Sequence, residues 1–256
     1  MFRTASVGVA VSVGLLVATA SAANPPFGGD DTGFVPPVKS AVAKCEAGAS
    51  KAAAKLVACI AKCHDKRAAG KLADDTAEDS CEKTLAGKSC AAKFTLAISK
   101  LSGCPACING TTMANLAGTA EAVLDANNGT VYCEGAPNPP FGGDDTGFVP
   151  PAKSGTAQCE GKVSKAAAKL VACIFKCHDG QASGKLEDAT HEEECETTDD
   201  SKSCRAKFVA AVGKLKSCPA CINPTSMAGL ETMAETVLDA SNGALDCASP
   251  SGAFVE

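Results

Sequence analysis

The chain has 256 residues, a formal net charge of −5, sixteen cysteines, no Trp and only ten Phe or Tyr residues. The acidic balance and the lack of a basic patch exclude a nucleic-acid partner. A core built mainly from Ala, Leu, Val and Cys buries little apolar area per residue, at ~25 cal/mol per Å², so it needs close helix approach or covalent help.

The first 22 residues read as a signal peptide. Arg3 supplies the positive end, Val7 to Ala18 is an uncharged apolar run, and Ala20-Ser21-Ala22 is a small-x-small cleavage site. Export puts the cysteines in an oxidising compartment, secreted or periplasmic, where structural disulfides are expected. No other stretch is apolar enough to span a bilayer, so no membrane association is expected once the signal is removed.

The remainder is a tandem duplication. Asn24 to Cys133 aligns with Asn138 to Cys247 at a constant offset of 114, with eight cysteines coinciding in each copy. The expected domains are residues 23–137 and 138–256. Each opens on the same fourteen residues (NPPFGGDDTGFVPP), at 24–37 and 138–151. Four Pro and three Gly in that segment rule out a helix or a central strand, so it reads as a semi-rigid linker with Phe27 and Phe34 docking on a neighbour. Asp30-Asp31 lacks the regular acidic spacing of a calcium loop.

After the first linker a helical period begins. Cys45, Ala49, Ala52, Leu56, Cys59 and Cys63 form an a/d stripe, with Lys51, Lys55 and Lys62 outside it. This helix should end near Ala69-Gly70. An acidic stretch, Asp74 to Asp79, then leads into Cys81. A second seam runs Cys90, Phe94, Ala97, Leu101, Cys104, and Pro105 ends it. A third helix is expected from Met113 to about Ala126, capped by Thr111 or Thr112, with Asn127-Asn128-Gly129 as its stop. The second copy repeats this order, including the seam Cys204, Phe208, Ala211, Leu215, Cys218.

The spacing of the two seams sets an architecture. Cys45 and Cys59 stand as far apart as Cys90 and Cys104, so antiparallel helices place cysteine opposite cysteine at both ends. The expected disulfides are Cys45–Cys104, Cys59–Cys90, Cys63–Cys81 and Cys107–Cys133. The second copy should match them with Cys159–Cys218, Cys173–Cys204, Cys177–Cys195 and Cys221–Cys247. The fold expected is all-α: two tandem disulfide-stapled antiparallel helical hairpins, each with an additional C-terminal helix.

Chemistry is sparser. Cys59-x-x-x-Cys63-His64 and Cys173-x-x-x-Cys177-His178 resemble covalent haem-attachment spacing, one residue too long, with Met113 and Met227 as candidate second axial ligands. On that alternative the chain is a two-haem c-type electron carrier. A second alternative is thiol–disulfide exchange at Cys104-Pro-Ala-Cys107 and Cys218-Pro-Ala-Cys221, although each pair follows a helix, whose dipole there disfavours a thiolate. Zinc held by the paired cysteines conflicts with an oxidising compartment. His191 has Ala77 as its counterpart and reads as solvated. Asn109-Gly-Thr111 and Asn128-Gly-Thr130 match glycosylation acceptors. The reading adopted is a non-enzymatic, secreted structural or binding protein with no cofactor, no metal and an unknown extracellular or periplasmic partner, its two similar halves suited to avidity.

Overall fold

In the computed structural model the described residues are 40–133, 155–183, 185–186, 189–198 and 201–247. The expected signal peptide, both Pro/Gly segments read as linkers with Phe27, Phe34 and Asp30-Asp31, and the C-terminal tail lie outside them.

All regular structure among the described residues is helical. The first repeat contains α1 (Ala41–Ala68), α2 (Asp75–Asp79), a single π turn (Ser80–Thr84), α3 (Cys90–Ile98) and α4 (Gly110–Val131). The second contains α5 (Gly155–Ala182), α6 (Ala189–Thr197), α7 (Cys204–Val212) and α8 (Pro224–Asn242). Among the described residues, no helix is long and apolar enough to cross a membrane.

Local chemistry accounts for the helix ends. Ser40 caps α1 by accepting the N–H of Ala43, and Lys66 and Arg67 sit in its last turn, where cations suit the dipole. Ser89 and Ser203 cap α3 and α7 in the same way. The cap of α4 is Asn109, which accepts from the N–H groups of Thr111 and Thr112, in place of the threonines expected. Asn223 does the same for α8, with Ser226 completing a capping box.

Two helix lengths differ from the sequence reading. The second seam does not stay helical to Cys104, because α3 stops at Ile98 and the chain turns through Gly103 at φ +69°. A Cβ at Gly103 would lie 2.7 Å from that of Ala41, so glycine serves both the left-handed backbone and the close approach. Conversely, α4 runs through Asn127-Asn128-Gly129 to Val131. Asn128, Val131 and Tyr132 are buried there, and this packing outweighs the weak helix propensity of Asn and Gly.

Both seams face inward. Cys45, Ala49, Ala52, Leu56 and Cys63 of α1 are buried, as are Cys90 and Phe94 of α3. Six disulfides lie within a repeat: Cys45–Cys104, Cys59–Cys90 and Cys63–Cys81 in the first, and Cys159–Cys218, Cys173–Cys204 and Cys177–Cys195 in the second. Four of these are the rungs that the antiparallel register predicts, and Cys63–Cys81 with Cys177–Cys195 are the expected bridges beside the loop.

The remaining two correct the sequence reading. Cys107 bonds Cys247, not Cys133, and Cys221 bonds Cys133, not Cys247. The end of each repeat is thus stapled to the other repeat. The cause is the packing of α1 on α5, which cross antiparallel: Ser50 lies beside Asp179 near one end, and the Ser164 hydroxyl reaches the Ala61 carbonyl near the other, at 3.4 Å. Gly161 faces Asp65, where a Cβ would come within 2.8 Å of its carboxylate. The contacts are reciprocal, as in an isologous dimer interface. Glu46 accepts the N–H of Cys247 at 3.0 Å, and Glu160 accepts that of Cys133 at 3.1 Å.

Candidate functional site: a histidine ringed by carboxylates

His64 lies one residue beyond Cys63 on the last turns of α1, facing the protein interior at 3 % exposure. Its Nε2 is 3.3 Å from Glu78 Oε1, 3.1 Å from Glu82 Oε1 and 3.2 Å from Asp125 Oδ1. All three carboxylates are themselves buried. Glu78 and Glu82 are a helical turn apart on α2 and the π turn, and Asp125 comes from α4. The Cys63–Cys81 bridge joins the residues immediately before His64 and Glu82, so it holds two of the four side chains face to face. Single π turns often occur where a helix must aim a functional side chain.

The second repeat builds the same constellation. His178 Nε2 is 3.3 Å from Glu192 Oε1, 3.2 Å from Glu196 Oε1 and 3.3 Å from Asp239 Oδ1. Cys177–Cys195 is its clasp.

Hydrogen bonding alone does not account for this geometry. A ring nitrogen carries one hydrogen, pointing in one direction, whereas three carboxylates converge on it in each repeat. The electrostatics point the same way. Burial works against a charged imidazole, but Asp125, Glu82 and Glu78 outweigh it and hold the His64 pKa up at about 10. Burial likewise opposes charge on His178, and Asp239, Glu196 and Glu192 raise its pKa well above the usual range. Burial also raises the Glu196 carboxyl, with the His178 charge acting against it. An imidazolium with three carboxylates still leaves a double negative charge in a dry interior, which is costly. A divalent cation in place of the ring proton would halve it.

The donor set fits such a cation. One imidazole nitrogen and three carboxylate oxygens suit zinc, manganese or ferrous iron, and all thiolates are tied up in disulfides. Nε2, Glu78 and Glu82 present atoms within 4.8 Å of one another, as do those of His178, Glu192 and Glu196. The nitrogen-to-oxygen spacings of 3.1–3.3 Å fall between the two common geometries. Donors 2.0–2.2 Å from a shared ion stand ~2.8–3.1 Å apart as octahedral neighbours and ~3.3–3.6 Å apart as tetrahedral ones.

The sequence reading singled out His64 and His178 for a different chemistry and missed all six carboxylates. A signal for them exists: Glu-x-x-x-Glu follows each histidine, and Asp125 and Asp239 interrupt otherwise apolar helix faces at the same offset. The other candidates fall elsewhere. Cys59 and Cys63 are bridged to Cys90 and Cys81, which occupies both sulfurs that a haem thioether linkage would use. Cys173 and Cys177 are occupied in the same manner. Met113 lines an apolar cavity of about 500 Å³ with Leu56, Ile60 and Phe94, and Met227 is buried. Cys104 and Cys107 are not bonded to each other, nor are Cys218 and Cys221. Asn109 is spent on its cap, Asn128 is buried, and His191 is exposed.

No family model matches the chain, and no curated protein or solved structure is similar to it.

Proposed function

We propose that the chain is an exported, non-enzymatic binding protein whose ligand is a divalent metal ion, one in each repeat. His64, Glu78, Glu82 and Asp125 hold the first, and His178, Glu192, Glu196 and Asp239 hold the second. The observation that carries this reading is the convergence of three buried carboxylates on one imidazole nitrogen, present twice.

Support for binding over catalysis comes from the ligand count. Catalytic metal sites keep a coordination position open to water or substrate, whereas four protein donors in a buried setting complete a tetrahedral shell. The sixteen paired cysteines support an oxidising destination and a frame rigid enough to hold donors in place without their metal. Two sites on one frame double the capacity of each chain.

The test is metal content. Chain freed of metal by chelation and dialysed against zinc, manganese or ferrous ions should retain two ions of at least one of them per chain by plasma mass spectrometry. His64→Ala and His178→Ala should each retain one, and the double variant none. Retention of less than half an ion per chain for all three metals would overturn the reading.

A further inference from the structure

Beside the first metal site, on the outer side of α1, lies an open cleft of about 670 Å³. Its lining includes Cys59, Cys63 and Cys81, which belong to two disulfides. Its walls carry Lys55, Lys62, Lys66, Lys88 and Lys93 and no carboxylate, in a chain of net charge −5. Lys66 Nζ comes to 3.9 Å from Cys81 Sγ. The two disulfides are also close to each other: Cys63 Sγ is 3.7 Å from Cys90 Sγ. Cys81 and Cys59 are partly exposed, while Cys63 and Cys90 are buried.

We propose that this cleft is a thiol–disulfide exchange site for anionic dithiols, with Cys81 as the sulfur attacked and Cys59 as the thiol finally released. Five ammonium groups concentrate an anionic nucleophile at the partly exposed sulfur. Exchange proceeds by attack of a thiolate on a disulfide sulfur. The thiolate bonds Cys81 Sγ, the Cys63–Cys81 bond breaks, and its electron pair leaves on Cys63. The Cys63 thiolate, already beside Cys90, bonds Cys90 Sγ, and the Cys59–Cys90 bond breaks with its pair leaving on Cys59. The second thiol of the reagent then displaces Cys81 from the mixed disulfide. The dithiol is oxidised to a cyclic disulfide by two electrons. The protein keeps a new Cys63–Cys90 bridge and carries thiols at Cys59 and Cys81.

The second repeat supplies an internal control. Cys177 Sγ is just as near Cys204 Sγ, at 3.6 Å, but Gly180 stands where Lys66 does, and Glu194 replaces Ser80 next to the attacked cysteine. The other four lysines recur as Lys169, Lys176, Lys202 and Lys207, so the clefts share sulfur geometry and outer lysines and differ in the charge beside the attacked cysteine. This site is separate from the Cys-Pro-Ala-Cys pairs, whose cysteines bond other partners.

The test treats the full chain with limiting dihydrolipoate, quenches with N-ethylmaleimide and maps the peptides. The expected result is label on Cys59 and Cys81, a Cys63–Cys90 peptide pair, and slower labelling of the second repeat. Lys66→Glu should slow labelling by dihydrolipoate ~tenfold while changing the rate with uncharged dithiothreitol much less. Should that variant fail to fold, the exposed Lys62→Glu offers the same comparison. First label on Cys177–Cys195 or the Cys-Pro-Ala-Cys cysteines, label on Cys63 in place of Cys59, or equal slowing of both reagents would each overturn the proposal.

Discussion

Glu46 Oε1 accepts the backbone N–H of Cys247 at 3.0 Å, across 201 residues of sequence. The same relation joins Glu160 to Cys133. Each glutamate is almost fully buried on the first helix of its own repeat and holds the terminal cysteine of the other. These hydrogen bonds place Cys247 at Cys107 and Cys133 at Cys221, so the two repeats are cross-linked twice.

This has a direct consequence for proteolysis. A protease site introduced into the segment between Cys133 and Cys159 should nick the chain without separating it. The nicked protein should run as one species on a non-reducing gel and as two fragments after reduction. Two fragments without reductant would mean that Cys107–Cys133 and Cys221–Cys247 form instead.

Metal uptake should release protons. His64 is held protonated up to about pH 10, and His178 is also raised, so at pH 7–8 each imidazole nitrogen must lose a proton when a metal takes its place. Calorimetry in buffers of different ionisation enthalpy should count about two protons per two ions bound. Apparent affinity should rise ~1 log unit per pH unit over this range. Asp125→Asn should weaken the first site by at least the ~10–100-fold typical of second-shell losses, and leave the second unchanged.

Glu235 carries a pH-dependent cost. Burial first, then Glu193, Glu196, Asp239 and Glu231, push its carboxyl up to about 7. A raised carboxyl is neutral in folded and unfolded chains below its ordinary pKa, so no cost appears there. As pH climbs towards and past 7, the unfolded chain ionises freely while the folded one resists, and stability falls. Glu235→Gln should therefore stabilise metal-free protein at pH 8 and have little effect near pH 4.5. With solvent screening the relief is about 1 kcal/mol, or about 2–4 °C in Tm for a chain of this size. Thermal scans in guanidinium at the two pH values check this, and equal shifts at both would contradict it.

Tyr132, the chain's single tyrosine, is 1 % exposed and donates its hydroxyl to Asp65 Oδ1 at 2.8 Å. Burial raises its pKa well above 10, with the nearby Asp65 charge acting in the same direction. Tyr132→Phe should cost about 1.5–3 kcal/mol, the range for a hydrogen bond to a charged group, read from chemical denaturation followed by circular dichroism. With no Trp present, tyrosine emission of the unmodified protein reports this one position.

The helical seams and the four bridges between them were legible from the sequence, because residues spaced along a helix have positions set by its own geometry, and Cys63–Cys81 with Cys177–Cys195 followed as the cysteines left beside the loop. Cys45 and Cys59 on α1 could be matched to Cys104 and Cys90 by register alone. Beyond the seams that determinism ends. Cys107, Cys133, Cys221 and Cys247 lie in turns and helix ends, where spacing carries no direction, and their partners follow from α1 packing on α5. The proposed metal-binding group shows the same limit. His64 stood out beside its cysteines, but Glu78 sat inside an acidic stretch, Glu82 carried no signal of its own, and Asp125 lay 61 residues away. Only the packing of α2 and α4 against α1 turns four unremarkable side chains into one set of donors.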